Sequence, residues 1–72
     1  MLVLDNRGLT PPEPMQRTLK ALEELKSGEQ LKIINDRKPM FLFEELDQKG
    51  YTYEVTPRED SGFEILITKK EG

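Results

Sequence analysis

A chain of 72 residues without a single cysteine or histidine has few means of doing covalent or metal chemistry. No thiolate can act as nucleophile, no disulfide or iron–sulfur cluster can form, and the commonest zinc ligands and general base are missing. Any catalysis would fall to Asp, Glu, Lys, Arg, Ser, Thr or Tyr. The carboxylates at 23–24, 44–45 and 59–60 read as solvated faces and a turn. None sits where burial or a like charge would raise its pKa for proton transfer. There is no glycine-rich phosphate loop and no nucleophile motif. The chain reads as a non-enzyme, with no catalytic residue, no metal ligands and no cofactor.

Two short stretches stand out. The first, "GLTPPEP", holds Pro11, Pro12, Glu13 and Pro14 just ahead of a helical pattern. A helix start can cradle an anion with its free amides. Here prolines remove those N–H groups, and Glu13 places a negative charge where the anion would sit, so a rigid, self-capped helix start is the favoured reading. The second, "NDRKPM", brings Arg37 and Lys38 to the next helix start, with backbone amides at Met40 and Phe41 expected to be open. Arg7, in the first loop, is expected beside them. Together they make a candidate site for a small anion or a partner's carboxylate. The plainer alternative is a solvated basic loop, with Asp36 pairing to Arg37 or capping the helix.

Hydrophobic periodicity supplies the elements that position these stretches. Leu2–Asp5 reads as a strand and "NRGL" as a turn. A helix follows, with Thr10 as cap and Glu13 closing a capping box. Met15, Leu19, Leu22 and Leu25 form its apolar stripe, and Ser27-Gly28 ends it. A strand over Glu29–Asn35, a helix over "MFLFEELDQK" stopped by Gly50, and an alternating hairpin come next. In the hairpin Tyr51, Tyr53, Val55, Phe63, Ile65 and Ile67 point inward. In the second helix Leu42, Phe43 and Leu46 face inward, which leaves Phe41 nearly opposite the core and Met40 on its flank. Phe41 is then either a partner surface or is folded against a neighbouring loop. On the other sheet face Val3, Ile34 and Leu66 form a modest apolar patch. Residues from about 69 to 72 read as a frayed tail.

The order βαβαββ makes the first two strands parallel and the last two an antiparallel hairpin. The expected fold is therefore an α/β (α+β) two-layer sandwich: a mixed four-stranded sheet with two helices on one face, in a single domain over 1–72.

With these elements in order, "LDNRGLTPPEPMQRTLKALEELKSGEQLKII" resembles the TusA/SirA-like sulfur-carrier family. That family shows a short strand, a "G-L-x-C-P-x-P" corner, a helix, and "G-E/D-x-L-x-I/V" on the second strand. Gly8, Leu9, Pro12, Pro14, Gly28, Glu29 and Leu31 stand in those places. The resemblance implies the same two-layer fold. In the family the motif Cys carries a persulfide between partner proteins; here that position is Pro11, which has no sulfur. The "P-P-E-P" corner and Asn35, Asp36 and Pro39 resemble more closely an uncharacterised TusA-related branch, a domain of unknown function. Such domains resemble partners of hemerythrin-like, denitrification and redox proteins. The resemblance thus implies a protein-interaction or adaptor module linked to redox or sulfur/nitrogen-oxide metabolism. The alternatives are small-ligand binding at the helix N-terminal edge and, ranked last, sulfur transfer without the motif Cys.

Charge narrows the partners further. Eleven basic residues are dispersed among 14 acidic ones, for a net charge of -3, so no basic stripe marks a nucleic-acid binder. No apolar run reaches membrane-spanning length, and the first residues do not read as a signal peptide. The expected setting is the cytoplasm, with another protein as partner, no nucleic acid, no membrane, and weak homodimerisation left open through the apolar patch.

Overall fold

A computed structural model describes residues 1–70. The chain forms β1 (Leu2–Asp5), α1 (Glu13–Glu24), β2 (Gln30–Asn35), α2 (Met40–Lys49), β3 (Thr52–Pro57) and β4 (Phe63–Thr68). The sheet order is β1-β2-β4-β3. β1 runs parallel to β2, with Leu2 opposite Leu31 and Asp5 opposite Ile34. β2 and β3 are both antiparallel to β4, which is central.

This register puts Leu31 against Ile67 and Ile33 against Ile65 on one face. All four are fully buried, under Ala21 and Leu22 of α1 and Leu42 and Leu46 of α2. Both helices therefore pack on the same sheet face, as the alternation requires. Burying each such aliphatic side chain stabilises the fold by about 1.5–3 kcal/mol, well above the roughly 0–1 kcal/mol of an exposed ion pair. The small aliphatic core, not the surface charge, holds the domain together. Phe43 and Tyr53 seal its margin with parallel rings 4.7 Å apart, and the Tyr53 hydroxyl donates to Asp47 at 3.0 Å.

Several boundaries differ from expectation. α1 begins at Glu13, because residues 11 and 12 form a turn of their own, joined by a cis peptide bond. Thr10 is then too far upstream to cap with its hydroxyl, and no side chain caps the helix. Its backbone carbonyl instead accepts from Glu13 N at 3.0 Å. Only Pro14 lies within the first turn, where a missing N–H costs nothing. The helix is buried through Thr18, Ala21 and Leu22, with Met15, Leu19 and Leu25 flanking them. On the open face Ile34 is buried, so the expected patch with Val3 and Leu66 shrinks; Val3 remains exposed.

α1 also stops at Glu24, earlier than Ser27-Gly28 suggested. Leu25 turns to an extended backbone there, and the helix end is bonded from the far end of the sequence. Lys69 Nζ donates to the Leu22 and Leu25 carbonyls, each at 2.7 Å, which satisfies the helix's terminal acceptors with a positive charge. Its backbone extends the sheet: Lys69 N donates to Glu29 O at 2.9 Å, and Gly28 N donates to Lys69 O at 2.8 Å. Lys69, expected to fray, is thus a structural residue; of the expected tail, residues 71 and 72 lie outside the described residues.

Replacing Lys69 by Met keeps the aliphatic stem and removes both charged hydrogen bonds. Its urea midpoint should fall by an amount equivalent to about 1.5–3 kcal/mol, whereas Lys70→Met should leave the midpoint within about 0.5 kcal/mol.

Candidate functional site

Because β1 and β2 are parallel, their C-terminal ends lie side by side, and each leads into the loop before a helix. Asn6 N donates to Ile34 O at 2.8 Å, which continues the parallel ladder one step past β1. The two loops are then tied directly, as Gly8 N donates to Asp36 Oδ2 at 2.8 Å. Asp36 thus spends a carboxylate oxygen on the first loop instead of pairing with Arg37.

Between the loops lies a groove of about 1000 Å³. One wall is Leu9, Thr10, Pro11, Pro12, Pro14 and Met15; the other runs from Asn35 through Leu42. Pro11, Pro12 and Pro14 of the first corner line it, as do Arg37, Lys38, Met40 and Phe41 of the second. Glu13 and Arg7 do not. Met40 and Phe41 are 63% and 77% exposed, so the first turn of α2 does not fold Phe41 inward. The Met40 amide, expected to be open, donates to Lys38 O at 3.0 Å. Lys38 Nζ stands 5.6 Å from the Phe63 ring centroid, and among the described residues neither Arg37 nor Lys38 forms an ion pair.

Arg7 is engaged elsewhere. Its Nε and Nη2 grip the Asp5 carboxylate at 2.9 and 2.8 Å, its backbone N–H donates to the same group at 3.1 Å, and Nη1 reaches Asp60 at 3.5 Å. These bonds hold Asp5 at about 2, below its ordinary 3.8, and raise the Arg7 pKa. An anion site built on Arg7, Arg37 and Lys38 together is not what the fold assembles. A shallower hollow at the hairpin turn is lined by Arg58, Asp60 and Glu64, but these charges pair with one another.

The groove's floor was not anticipated. Asn6 and Asn35, at the ends of the paired strands, are 1% and 6% exposed. The Thr18 hydroxyl donates to Pro14 O at 2.8 Å, so its oxygen is left to accept. Asn6 Nδ2 supplies that donor at 3.3 Å and also donates to Asn35 Oδ1 at 3.0 Å. Both Asn6 amide hydrogens are thus used, and its Oδ1 is buried without a partner. The signal available in the sequence was positional: two asparagines directly after apolar runs in adjacent parallel strands, and a threonine within an apolar helix stripe.

Gly62 locks the hairpin loop beneath this floor. It has φ +75°, and a Cβ there would collide with the Asn35 carbonyl oxygen. Among the described residues no cluster of His, Cys, Asp or Glu could hold a metal ion. No helix there is long and apolar enough to cross a membrane.

The comparisons with known proteins converge on this architecture. The family described as "Uncharacterized conserved protein (DUF2249)" matches residues 3–69. The "Putative sulfur carrier protein MJ0990" of Methanocaldococcus jannaschii is 38% identical over 71 residues, covering 96% of this chain and 95% of that protein. The crystal structure of the SirA-like protein from Desulfitobacterium hafniense superposes with a TM-score of 0.84 at 27% identity, covering 99% of this chain and all of that one. This is a small TusA/SirA-like domain related to sulfur carriers. The chain belongs to the DUF2249 family within that group.

Two measurements probe the site's framework. Gly62→Ala should cost more than about 2 kcal/mol of unfolding free energy, because strain at positive φ adds to a backbone collision. Gly8→Ala, with φ +83° and open space around it, should cost only about 1–2 kcal/mol. The Asp5–Arg7 pair predicts an acid effect with a definite sign. Asp5 is more acidic folded than unfolded, so its contribution is fully present above pH 3.8 and is lost as pH falls toward 2. The stability gap between the native chain and Asp5→Asn should therefore be constant above about pH 5 and shrink steadily below pH 4, and it should be smaller in high salt.

Proposed function

We propose that this domain is a non-catalytic recognition module of the sulfur-carrier fold, docking another protein through the groove between its two helix N-termini. The observation that carries the reading is the exposure of Met40 and Phe41 at the groove's rim. A flexible thioether and a large aromatic ring held out in solvent, beside a proline-lined apolar wall, are what a partner surface offers. The sulfur carriers of this fold present a thiol at the first corner; here Pro11 closes that position chemically, while the corner's shape and the adjoining groove remain.

A domain with the carriers' fold but without their thiol fits an adaptor role. It would hold or compete for a protein that handles sulfur or another redox group. The relative named as a sulfur carrier supports the metabolic setting, and the resemblance to domains that accompany hemerythrin-like and redox proteins supports the partner class. A cytoplasmic setting accords with this role. Small-anion binding is the weaker reading, because Asp5 withdraws the third cation.

Phe41→Ser tests the role directly. Its thermal midpoint should stay close to that of the native chain, since the ring contributes little burial. Affinity-purified partner, quantified by mass spectrometry from the native host, should fall at least about tenfold. A large loss of stability, or unchanged partner recovery, would sink the proposal.

A further inference from the structure

The groove's floor narrows the kind of partner it takes. Asn6 Oδ1 is a sealed acceptor with no donor, in a side chain otherwise fully committed. Leaving such a group unpaired destabilises the chain, so a bound group that supplies a donor recovers that cost. Beside it, Asn35 gives its oxygen to Asn6, which turns its Nδ2 away from Asn6; no acceptor is paired with that nitrogen among the described residues. One open acceptor next to one open donor complements a single residue of an extended chain, whose N–H and C=O point to the same side: the N–H would meet Asn6 Oδ1 and the C=O would meet Asn35 Nδ2. Asn6 Oδ1 has no solvent contact of its own, so a donor reaches it only when groove-lining side chains give way. Met15, on the near wall, is a flexible residue suited to yielding.

The rim sets the charge. Arg37 and Lys38 are exposed and among the described residues carry no ion pair, while the adjacent Asp36 carboxylate accepts from Gly8 N. Apart from these charges and Thr10, the walls are apolar. A volume of about 1000 Å³ is at the upper end of ordinary ligand sites.

We infer that the groove takes an extended acidic–apolar segment of a partner protein, in which the backbone N–H and C=O of one residue are read by the Asn6–Asn35 pair while a flanking Asp or Glu meets Arg37 and Lys38. The inference rests on the docking role given above and names its partner's chemistry.

Display of random dodecapeptides against the folded 72-residue chain tests it. Enriched peptides should share an apolar residue flanked by Asp or Glu. Titrating one of them into ¹⁵N-labelled protein should shift the side-chain NH₂ resonances of Asn6 and Asn35. Because Asn6→Ala removes two buried hydrogen bonds and so perturbs folding as well as binding, the deciding variant is the double rim reversal Arg37→Glu, Lys38→Glu. It should weaken binding by at least about fivefold, with the effect fading at high salt. No enrichment above bare beads, enrichment of basic peptides, or binding that leaves both asparagine resonances in place would each overturn the inference. Partner capture that depends on Phe41 but comes with no such peptide would overturn this inference alone. An acidic–apolar peptide found where Phe41→Ser leaves partner capture intact would overturn the role assigned to Phe41 and keep the groove's chemistry.

Discussion

The parallel pairing of β1 with β2 is the contact on which the rest of the structure depends. Four residues of edge strand, Leu2 to Asp5, are laid against Leu31 to Ile34, and the ladder runs one residue further through Asn6. Parallel pairing demands a crossover, and α1 is that crossover. Once it is in place, the loops leaving the two strands must emerge at the same edge, and the helices that follow must start there together. An antiparallel β1 would have sent the proline corner and the basic corner to opposite ends of the molecule. The groove, its polar floor and its exposed rim all follow from the direction of one short strand.

Within that edge, polar and apolar demands are divided between layers. The floor is hydrogen-bonded: the Thr18 hydroxyl, the two asparagine amides and the Asp36 carboxylate fasten α1 and both loops to the strand ends. The walls above are proline, methionine and leucine, which ask nothing of their neighbours but contact. A buried amide network set beneath an apolar surface is costly unless its members are satisfied, and here all but one oxygen of the Asn6–Thr18 pair is. The framework is rigid where it must hold two loops in register and soft where it must accommodate shape. Charge plays the outer part: Arg7 and Arg58 are absorbed in pairs with Asp5, Asp60 and Glu64, while the groove-lining Arg37 and Lys38 have no such partners among the described residues.

The fold was legible in the sequence because its signals are periodic. Alternation in β3 and β4 and the stripe in α1 fixed which side chains point inward, and the order of elements fixed the topology. The first corner's place beside the second was legible too, through the parallel-strand rule. What the sequence hid were contacts between residues distant along the chain. Nothing near Glu24 announces that the carbonyls at the end of α1 will be met by Lys69, more than forty residues on. Asp5 and Arg7 are two residues apart, yet a loop cation next to a strand-end carboxylate looks free until the turn brings them face to face. Asn6 reads as the start of a turn and Asn35 as the last residue of a strand, and their joint burial appears only when the strands are paired. Phe41 was left open by periodicity, since a bent first turn could have turned it inward.

The same strand directions decide where the chain's flanks go. β1 enters the sheet, and β4 leaves it, at the level of Leu31 and Gln30, where β2 begins. The groove lies at the other end of β2. Residues 1 and 70 therefore sit at the pole away from the recognition edge. Anything joined to either flank, whether a neighbouring domain, a tag or a solid support, would be carried behind the groove and not across its mouth. The fold behaves as a plug-in head: it can be mounted from behind, singly or in series, with each copy still presenting its binding edge outward.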